Sequence, residues 1–210
     1  MNVKDEATLF SGIAVYDNIN PKIAALYANE RMVLDVGCGS GALGAYLKRV
    51  NPSATVYGVD ISPQAGEFAV RVLDDFACVD LDNKPLPDYG VSFDLIVLGD
   101  VLEHLKRPDV FLRSLRQRLN NGGSVILSVP NVAHYLVRKK LLFGEFNYAS
   151  TGILDRTHLR FFTYRTITEL IEECGYHVAE RLIISNSPKL WEKMFPRLVA
   201  VQFVFKIAAI

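Results

Sequence analysis

Cysteine is scarce in this chain. Only Cys38, Cys78 and Cys174 occur, odd in number and scattered, which argues against a disulfide framework and fits a reducing compartment. A secretory leader is not expected either. The sequence opens Met1-Asn2-Val3-Lys4-Asp5-Glu6, with no basic-then-apolar pattern, so a cytoplasmic setting is expected. The longest apolar stretch, Leu198 to Ile210, is short for a bilayer and is interrupted by Gln202 and Lys206, so no membrane span is expected. Excess charge of either sign is lacking too. Lys plus Arg and Asp plus Glu each number 23, which leaves no global field to draw nucleic acid or a membrane surface. What remains is 210 residues, 50% of them apolar, sufficient for one α/β domain over residues 1–210.

Glycine, by contrast, is concentrated where it matters. Val33-Leu34-Asp35-Val36-Gly37-Cys38-Gly39-Ser40-Gly41-Ala42-Leu43-Gly44 reads as a buried strand that ends near an acid and opens into alternate glycines. Glycine allows positive φ and a close backbone approach to a ligand. The residues after Gly41 read as a helix, so the loop is expected to present free N–H groups and a helix N-terminus to a nucleotide-type ligand. Gly39 to Gly44 also satisfies the dinucleotide pattern G-x-G-x-x-G, with Asp60 standing about 20 residues on. Asp35 occupies a place where that pattern normally carries an apolar residue, and Gly37 begins the glycine series one step early.

Elsewhere, strands alternate with helices, the pattern of a parallel sheet. Strands are expected at Met32–Val36, Thr55–Val59, Ala77–Val79, Phe93–Leu98 and Ser124–Val129, then at Tyr176–Ile184 and Leu198–Phe205. Asn20-Pro21 opens a helix to about Ala28, and Ser62-Pro63 one to about Leu73. Arg107-Pro108 starts a helix with Phe111, Leu115 and Leu119 on one face, stopped by Asn121-Gly122-Gly123. Thr163 caps a helix carrying Ile167, Leu170, Ile171 and Cys174, stopped by Gly175.

Asp35-x-Gly37-x-Gly39-x-Gly41 resembles motif I of the class I S-adenosylmethionine (SAM)-dependent methyltransferases. The resemblance implies a Rossmann-like seven-stranded, mostly parallel sheet with helices on both faces and an antiparallel last strand. It implies SAM as cofactor and S-adenosylhomocysteine as product, with Gly37, Cys38, Gly39 and Gly41 along the cofactor and Asp35 organising the loop and the amino-acid end. Asp60 then serves the ribose hydroxyls, Ile61 packs on adenine, and Asp80 with Leu81 lies near the adenine amino group. These acids fall at successive strand ends, where α/β sheets bind ligands. The purely structural reading of Asp60 and Asp80 is a turn or helix-capping acid. Gly99-Asp100-Val101-Leu102-Glu103-His104-Leu105 resembles the V-L-E-H-L stretch of ubiquinone-biosynthesis and type 11 methyltransferases, which places Gly99 and Asp100 beside the sulfonium. There, Glu103 and His104 form either a structural pair or part of the chemistry.

Between the fifth strand and the last helix lies a long segment, residues 131–162, expected to cap the substrate. It carries Phe143, Phe146, Tyr148, Phe161 and Phe162 together with Arg138, Lys139, Lys140, Arg156 and Arg160. Aromatic faces with a local excess of cations suit a flat or sugar-like acceptor bearing phosphate or carboxylate, such as a nucleotide sugar. The bland reading is a helix with a solvated basic face. Ser128–His134, Leu141–Tyr148 and Gly152–Thr163 resemble the type 12/23 methyltransferases, a group associated with bacterial polysaccharide and glycosyltransferase gene clusters. That resemblance implies a small-molecule acceptor, most simply a sugar or glycan-precursor hydroxyl. A quinone-precursor or small-acid methyltransferase, and a catalytically silent SAM-binding partner of a glycosyltransferase, stay open. A hydroxyl acceptor benefits from a general base. His158, with Asp155 near enough to orient it, is the first candidate and His104 the second. The alternative for His158 is a loop anchor. No ligand cluster in the sequence demands a metal, and the oligomeric state stays open, a dimer included.

Overall fold

The computed structural model describes residues 19–210. The opening residues Met1–Glu6, read above for a leader, lie outside the described residues. Seven strands form one sheet: β1 (Met32–Val36), β2 (Thr55–Asp60), β3 (Asp75–Cys78), β4 (Phe93–Gly99), β5 (Leu119–Pro130), β6 (Tyr176–Ile184) and β7 (Gln202–Ala209). Their order is β3-β2-β1-β4-β5-β7-β6, with β7 antiparallel to both neighbours and the first five strands parallel. This is the expected Rossmann-like arrangement.

The continuous apolar strands follow from burial on both faces. Leu34, Val36, Ile96, Leu98, Val125 and Leu127 face one core. Helices α4 (Pro108–Ser114) and α6 (Tyr164–Glu173) cover it with Phe111, Leu112, Ile167 and Ile171. Val33, Leu95, Val97 and Ile126 face the opposite core. There α1 (Pro21–Leu26), α2 (Ala42–Val50) and α3 (Pro63–Ala69) pack with Ile23, Leu26, Leu47 and Ala69. The expected caps form. Asn20 Oδ1 accepts from the backbone of Lys22 and Ile23, Ser62 Oγ accepts from Ala65 N–H, and Thr163 and Thr166 make a reciprocal box.

Several boundaries differ from expectation. Helices α1 and α3 end at Leu26 and Ala69, short of Ala28 and Leu73, and β3 begins two residues early, at Asp75. After Ser114 the chain tightens into a 3-10 turn over Leu115–Arg118, and Leu119 already pairs with Phe93. Asn121-Gly122-Gly123 therefore belongs to an irregular start of β5, not to a helix stop. Its register slips between Phe93 and Leu95, with Gly122 at φ +79°. Leu198 and Val199 lie in a short helix, not in the last strand, which begins at Gln202. Proline at 196 fits a first helical turn.

The segment 131–162 leaves the carboxyl end of β5. It contains a helix, α5 (Tyr135–Leu142), with Arg138, Lys139 and Lys140 exposed. Two helices follow β6: α7 (Lys189–Met194) and α8 (Pro196–Val199). Asn131, fully buried, anchors the cap's start. Its Nδ2 donates to the carbonyls of Arg197 (3.0 Å) and Ala200 (2.8 Å), and its Oδ1 accepts from Ala133 N–H. The cap's end is tied down by Leu159 N–H and Arg160 N–H, which both donate to the Glu103 carbonyl (2.8 and 2.9 Å). Among the described residues no helix is long and apolar enough to cross a membrane.

Candidate active site

Every acid singled out in the sequence lies at the carboxyl edge of the sheet. Asp35 is the penultimate residue of β1, Asp60 the last of β2, and Asp100 follows β4 directly. A cavity of about 210 Å³ opens there, lined by Ile19, Asn20, Ile23, Asp35, the Gly37–Gly39 turn, Ala42, Leu43, Gly99 and Asp100. A larger hollow of about 310 Å³ sits at the opposite strand ends around Glu30, Asp94 and Lys206. Its central charges are already matched, Lys206 to Glu30 (2.9 Å) and Asp94 to Asn120 and the Met32 N–H, so it offers no comparable demand for a ligand.

Gly37 turns the chain at φ +73°, and a Cβ there would meet Val101 Cγ2 at 2.7 Å. At Gly44 a Cβ would strike Leu73 Cδ2 at 2.2 Å, so glycine lets α2 lie close on its neighbours. Within the loop itself, four of the N–H groups expected to be free are taken, while the N-terminus of α2 at Ala42 and Leu43 borders the cavity. Gly37 and Cys38 N–H both donate to the Val59 carbonyl, Gly41 N–H to the Cys38 carbonyl, and Gly39 N–H to Asp60 Oδ2 (2.8 Å). The turn is stitched to β2, and the charged side chains that line the cavity are the carboxylates Asp35 and Asp100.

Asp35 is 4% exposed, and its Oδ2 has no hydrogen-bond partner. Burial, reinforced by Asp60, pushes its carboxyl up to about 7. Asp100 takes the left-handed conformation, φ +56°, rare outside glycine and concentrated at functional positions. Ser128 Oγ donates to Asp100 Oδ1 (2.9 Å) and accepts from Asp100 N–H (3.0 Å), and Gln202 Nε2 donates to the same carboxylate. Burial raises this carboxyl as well. The sequence marked Gln202 only as an interruption of an apolar run, and its partnership with Asp100 carried no local signal.

Cys38 lines the cavity, but its side chain is mostly buried. It is buried against Gly58, and burial together with Asp35 and Asp60 pushes its thiol up. Asp60 accepts from Gly39 N–H and, through Oδ1, from Ser62 N–H (2.8 Å). Ile61 beside it is 65% exposed, an apolar side chain without cover. Asp80 accepts from Asn83 Nδ2 and Asp82 N–H, which hold its carboxyl below the usual range, and Leu81 packs against the core.

A second cluster lies where the loop after β4 meets the cap. Glu103 is 1% exposed, and neither carboxylate oxygen has a partner; burial, with Asp100 adding to it, raises this carboxyl well above its usual range. The His104 and His158 rings meet edge to face, centroids 4.9 Å apart. Asp155 does not orient His158 as expected. Its carboxylate accepts from Thr157 N–H and Oγ1, while His158 Nδ1 donates to the Ile153 carbonyl (3.2 Å). Burial lowers the His158 pKa, favouring neutral imidazole. Phe146 meets Tyr148 and Phe161 edge to face, Tyr148 lies tilted against Phe161, and Phe161 meets His158 edge to face. The ligand atoms of Glu103, His104 and His158 lie within 4.8 Å of one another, a grouping that no sequence spacing announced.

Known proteins match this architecture. Residues 15–181 match the protein family described as "Methyltransferase domain". The mitochondrial ubiquinone biosynthesis O-methyltransferase of Schizosaccharomyces pombe is 33% identical over 107 residues, 47% of this chain and 37% of that protein. The demethylmenaquinone methyltransferase of Thermotoga maritima is 28% identical over 173 residues, 73% of each. This chain thus spans well under half of the first relative. A SAM-dependent methyltransferase from Archaeoglobus fulgidus has the same fold, with a TM-score of 0.66 at 18% identity over 90% of both chains. The chain belongs to the methyltransferase-domain family.

Proposed function

We propose that this protein transfers a methyl group from SAM to the hydroxyl of a small acceptor with a flat ring. The observation that carries the reading is the buried Asp35 carboxylate, whose Oδ2 has no partner, in a cavity shared with Asp100. A buried acid without a partner is destabilising, and a ligand with an ammonium and a sulfonium relieves that cost. A dinucleotide pyrophosphate would meet the carboxylates of Asp35 and Asp100, with the N–H groups of Gly37, Cys38, Gly39 and Gly41 already engaged. When bound, SAM supplies a methyl group on a cationic sulfur and leaves as S-adenosylhomocysteine. In this reading Asp35 holds the amino-acid end, Asp60 uses its remaining lone pairs on the ribose hydroxyls, and Ile61 packs on adenine. Asp80, engaged mainly with its own turn, and Leu81 border the adenine. Gly99 and Asp100 face the reacting centre.

For the acceptor, the aromatic group of Phe146, Tyr148 and Phe161 beside His158 favours a stacked ring. Two of the cap's guanidiniums are already committed: Arg138 donates to the Ala133 carbonyl and Arg160 to that of Lys106. That weakens the case for a phosphorylated sugar and favours a phenolic acceptor, in keeping with the quinone-biosynthesis names of the relatives. His158, with His104 against it, serves the removal of the acceptor's proton as the new bond to carbon forms. The residues' main work is alignment and exclusion of water.

Calorimetry tests the cofactor assignment. SAM binds in the micromolar range and NAD does not, whereas NAD binding without SAM binding overturns the proposal. Asp60→Ala lowers SAM affinity tenfold or more, since charge-assisted bonds contribute about 1.5–3 kcal/mol. The variant also melts somewhat earlier, because Gly39 and Ser62 lose their acceptor. Unchanged affinity would place the ribose acid elsewhere. Labelled-SAM turnover on catechols and on nucleotide sugars separates the two acceptor classes, and absence of turnover on either favours the silent binder.

A further inference from the structure

We infer that Glu103, His104 and His158 form a site for one divalent transition-metal ion, of which Zn²⁺ is the representative. Three observations converge on it. The ligand atoms of the three side chains lie within 4.8 Å of one another. Glu103, 1% exposed, aims a carboxylate with two unpartnered oxygens into that space, and a buried polar group without a partner calls for an ion or water that completes it. Both imidazoles are also set as metal-binding histidines are. His158 Nδ1 lies 3.2 Å from the Ile153 carbonyl and His104 Nδ1 3.3 Å from the Thr157 carbonyl. A carbonyl only accepts, so each Nδ1 carries the proton and each Nε2 keeps its lone pair. Thr157 Oγ1 already donates to Asp155, so its contact with His104 Nδ1 is one more acceptor for that same N–H. A ring N–H donated to a carbonyl, with the other nitrogen free, is the usual outer-shell support of a metal ligand.

Two nitrogens and one carboxylate oxygen suit zinc and its neighbours rather than calcium or magnesium. Three protein ligands leave a fourth position open. His104 is exposed and gives the ion a route from solvent. The site joins two parts of the chain: Glu103 and His104 follow β4, and His158 comes from the cap. An ion there would hold the cap against the sheet edge beside the aromatic group. Resting on the methyl-transfer reading above, the open position takes the acceptor hydroxyl. The ion lowers that hydroxyl's pKa, its proton passes to water, and the oxygen–carbon bond forms as the sulfur–methyl bond breaks. With the ion in place, His158 acts as a ligand and not as the base.

The full chain, stripped with a chelator and dialysed, is titrated with Zn²⁺ alone, without SAM. One ion per chain binds at micromolar concentration or tighter and raises the melting temperature. Glu103→Gln, close to the native shape, weakens binding at least tenfold and abolishes the melting shift. His104→Ala, at an exposed position, does the same if His158→Ala fails to fold. Absence of saturable binding, or full affinity in Glu103→Gln, overturns the site. Chelation abolishes methyl transfer to a catechol and Zn²⁺ restores it; turnover that survives chelation overturns the ion's part in the reaction. SAM affinity of the stripped protein stays unchanged, and its loss would count against the cofactor reading while the Zn²⁺ titration still decides the site.

Discussion

Replacing His158 with alanine lowers methyl transfer by roughly 10²–10⁴-fold, the usual contribution of a group that serves proton removal, whether as the acceptor itself or as a ligand of the ion inferred above, and leaves SAM affinity unchanged. The separation follows from placement. His158 lies in the cap against His104 and Phe161, whereas the cavity around Asp35 and the glycine turn is built from β1, α1 and the start of α2. His158→Gln is nearly as damaging, because an amide keeps the hydrogen bond to the Ile153 carbonyl but takes no proton. Single-turnover rates with labelled SAM, beside calorimetry for the cofactor, give the measurement. The competing role is that of an anchor, since the ring also ties the cap to Ile153. An anchor predicts a lower melting temperature with normal activity per folded molecule, and that outcome would remove His158 from the chemistry.

The second large effect belongs to Asp35. With its carboxyl raised from 3.8 to about 7, the folded protein favours the protonated acid more strongly than the unfolded chain does. The associated stability is fully present below about pH 4 and is lost as pH rises to 7. At 1.36 kcal/mol per pH unit the loss is about 4 kcal/mol. Asp35→Asn removes this dependence, so the ligand-free variant is more stable than the parent above pH 7. It also binds SAM at least tenfold more weakly, because a neutral amide no longer pairs with the ammonium. In the parent at pH 6, binding a cation at Asp35 drives its proton off. The heat of SAM binding then varies with the ionisation enthalpy of the buffer. Chemical denaturation between pH 4 and 8, with calorimetry in two buffers, tests both halves. An Asn variant that matches the parent's stability at pH 8 and binds SAM normally would show Asp35 to be an ordinary buried acid.

Much of the fold was legible because buried parallel strands and their helix caps are local signals. Val33–Val36 and Phe93–Leu98 are continuous apolar runs, as strands covered on both faces must be. Asn20-Pro21, Ser62-Pro63 and Thr163 set helix starts through hydrogen bonds spanning two or three residues. The acids were legible for the same reason, since each stands at or just after a strand end. The misplaced boundaries lie where long-range pairing overrides local preference. Leu119 continues a helical stripe in sequence, yet a ladder partner in Phe93 draws it into β5. Leu198 and Val199 have strand-like neighbours, yet Asn131 binds the carbonyls of Arg197 and Ala200 on either side and fixes that turn.

The sequence by itself determined the sheet, the helices that cover it and the row of carboxylates at its edge, because each depends on neighbours a few residues apart. Only the tertiary structure decided which groups are spent and which are left over. The N–H groups of Gly37, Cys38 and Gly39 are consumed by Val59 and Asp60, while Asp35 Oδ2 and both Glu103 oxygens are stranded without partners. It also brought His158 against His104 across more than fifty positions. Hydrogen-bond satisfaction is a property of the whole packed molecule, and at this sheet edge the unsatisfied groups are the ones that point to a ligand.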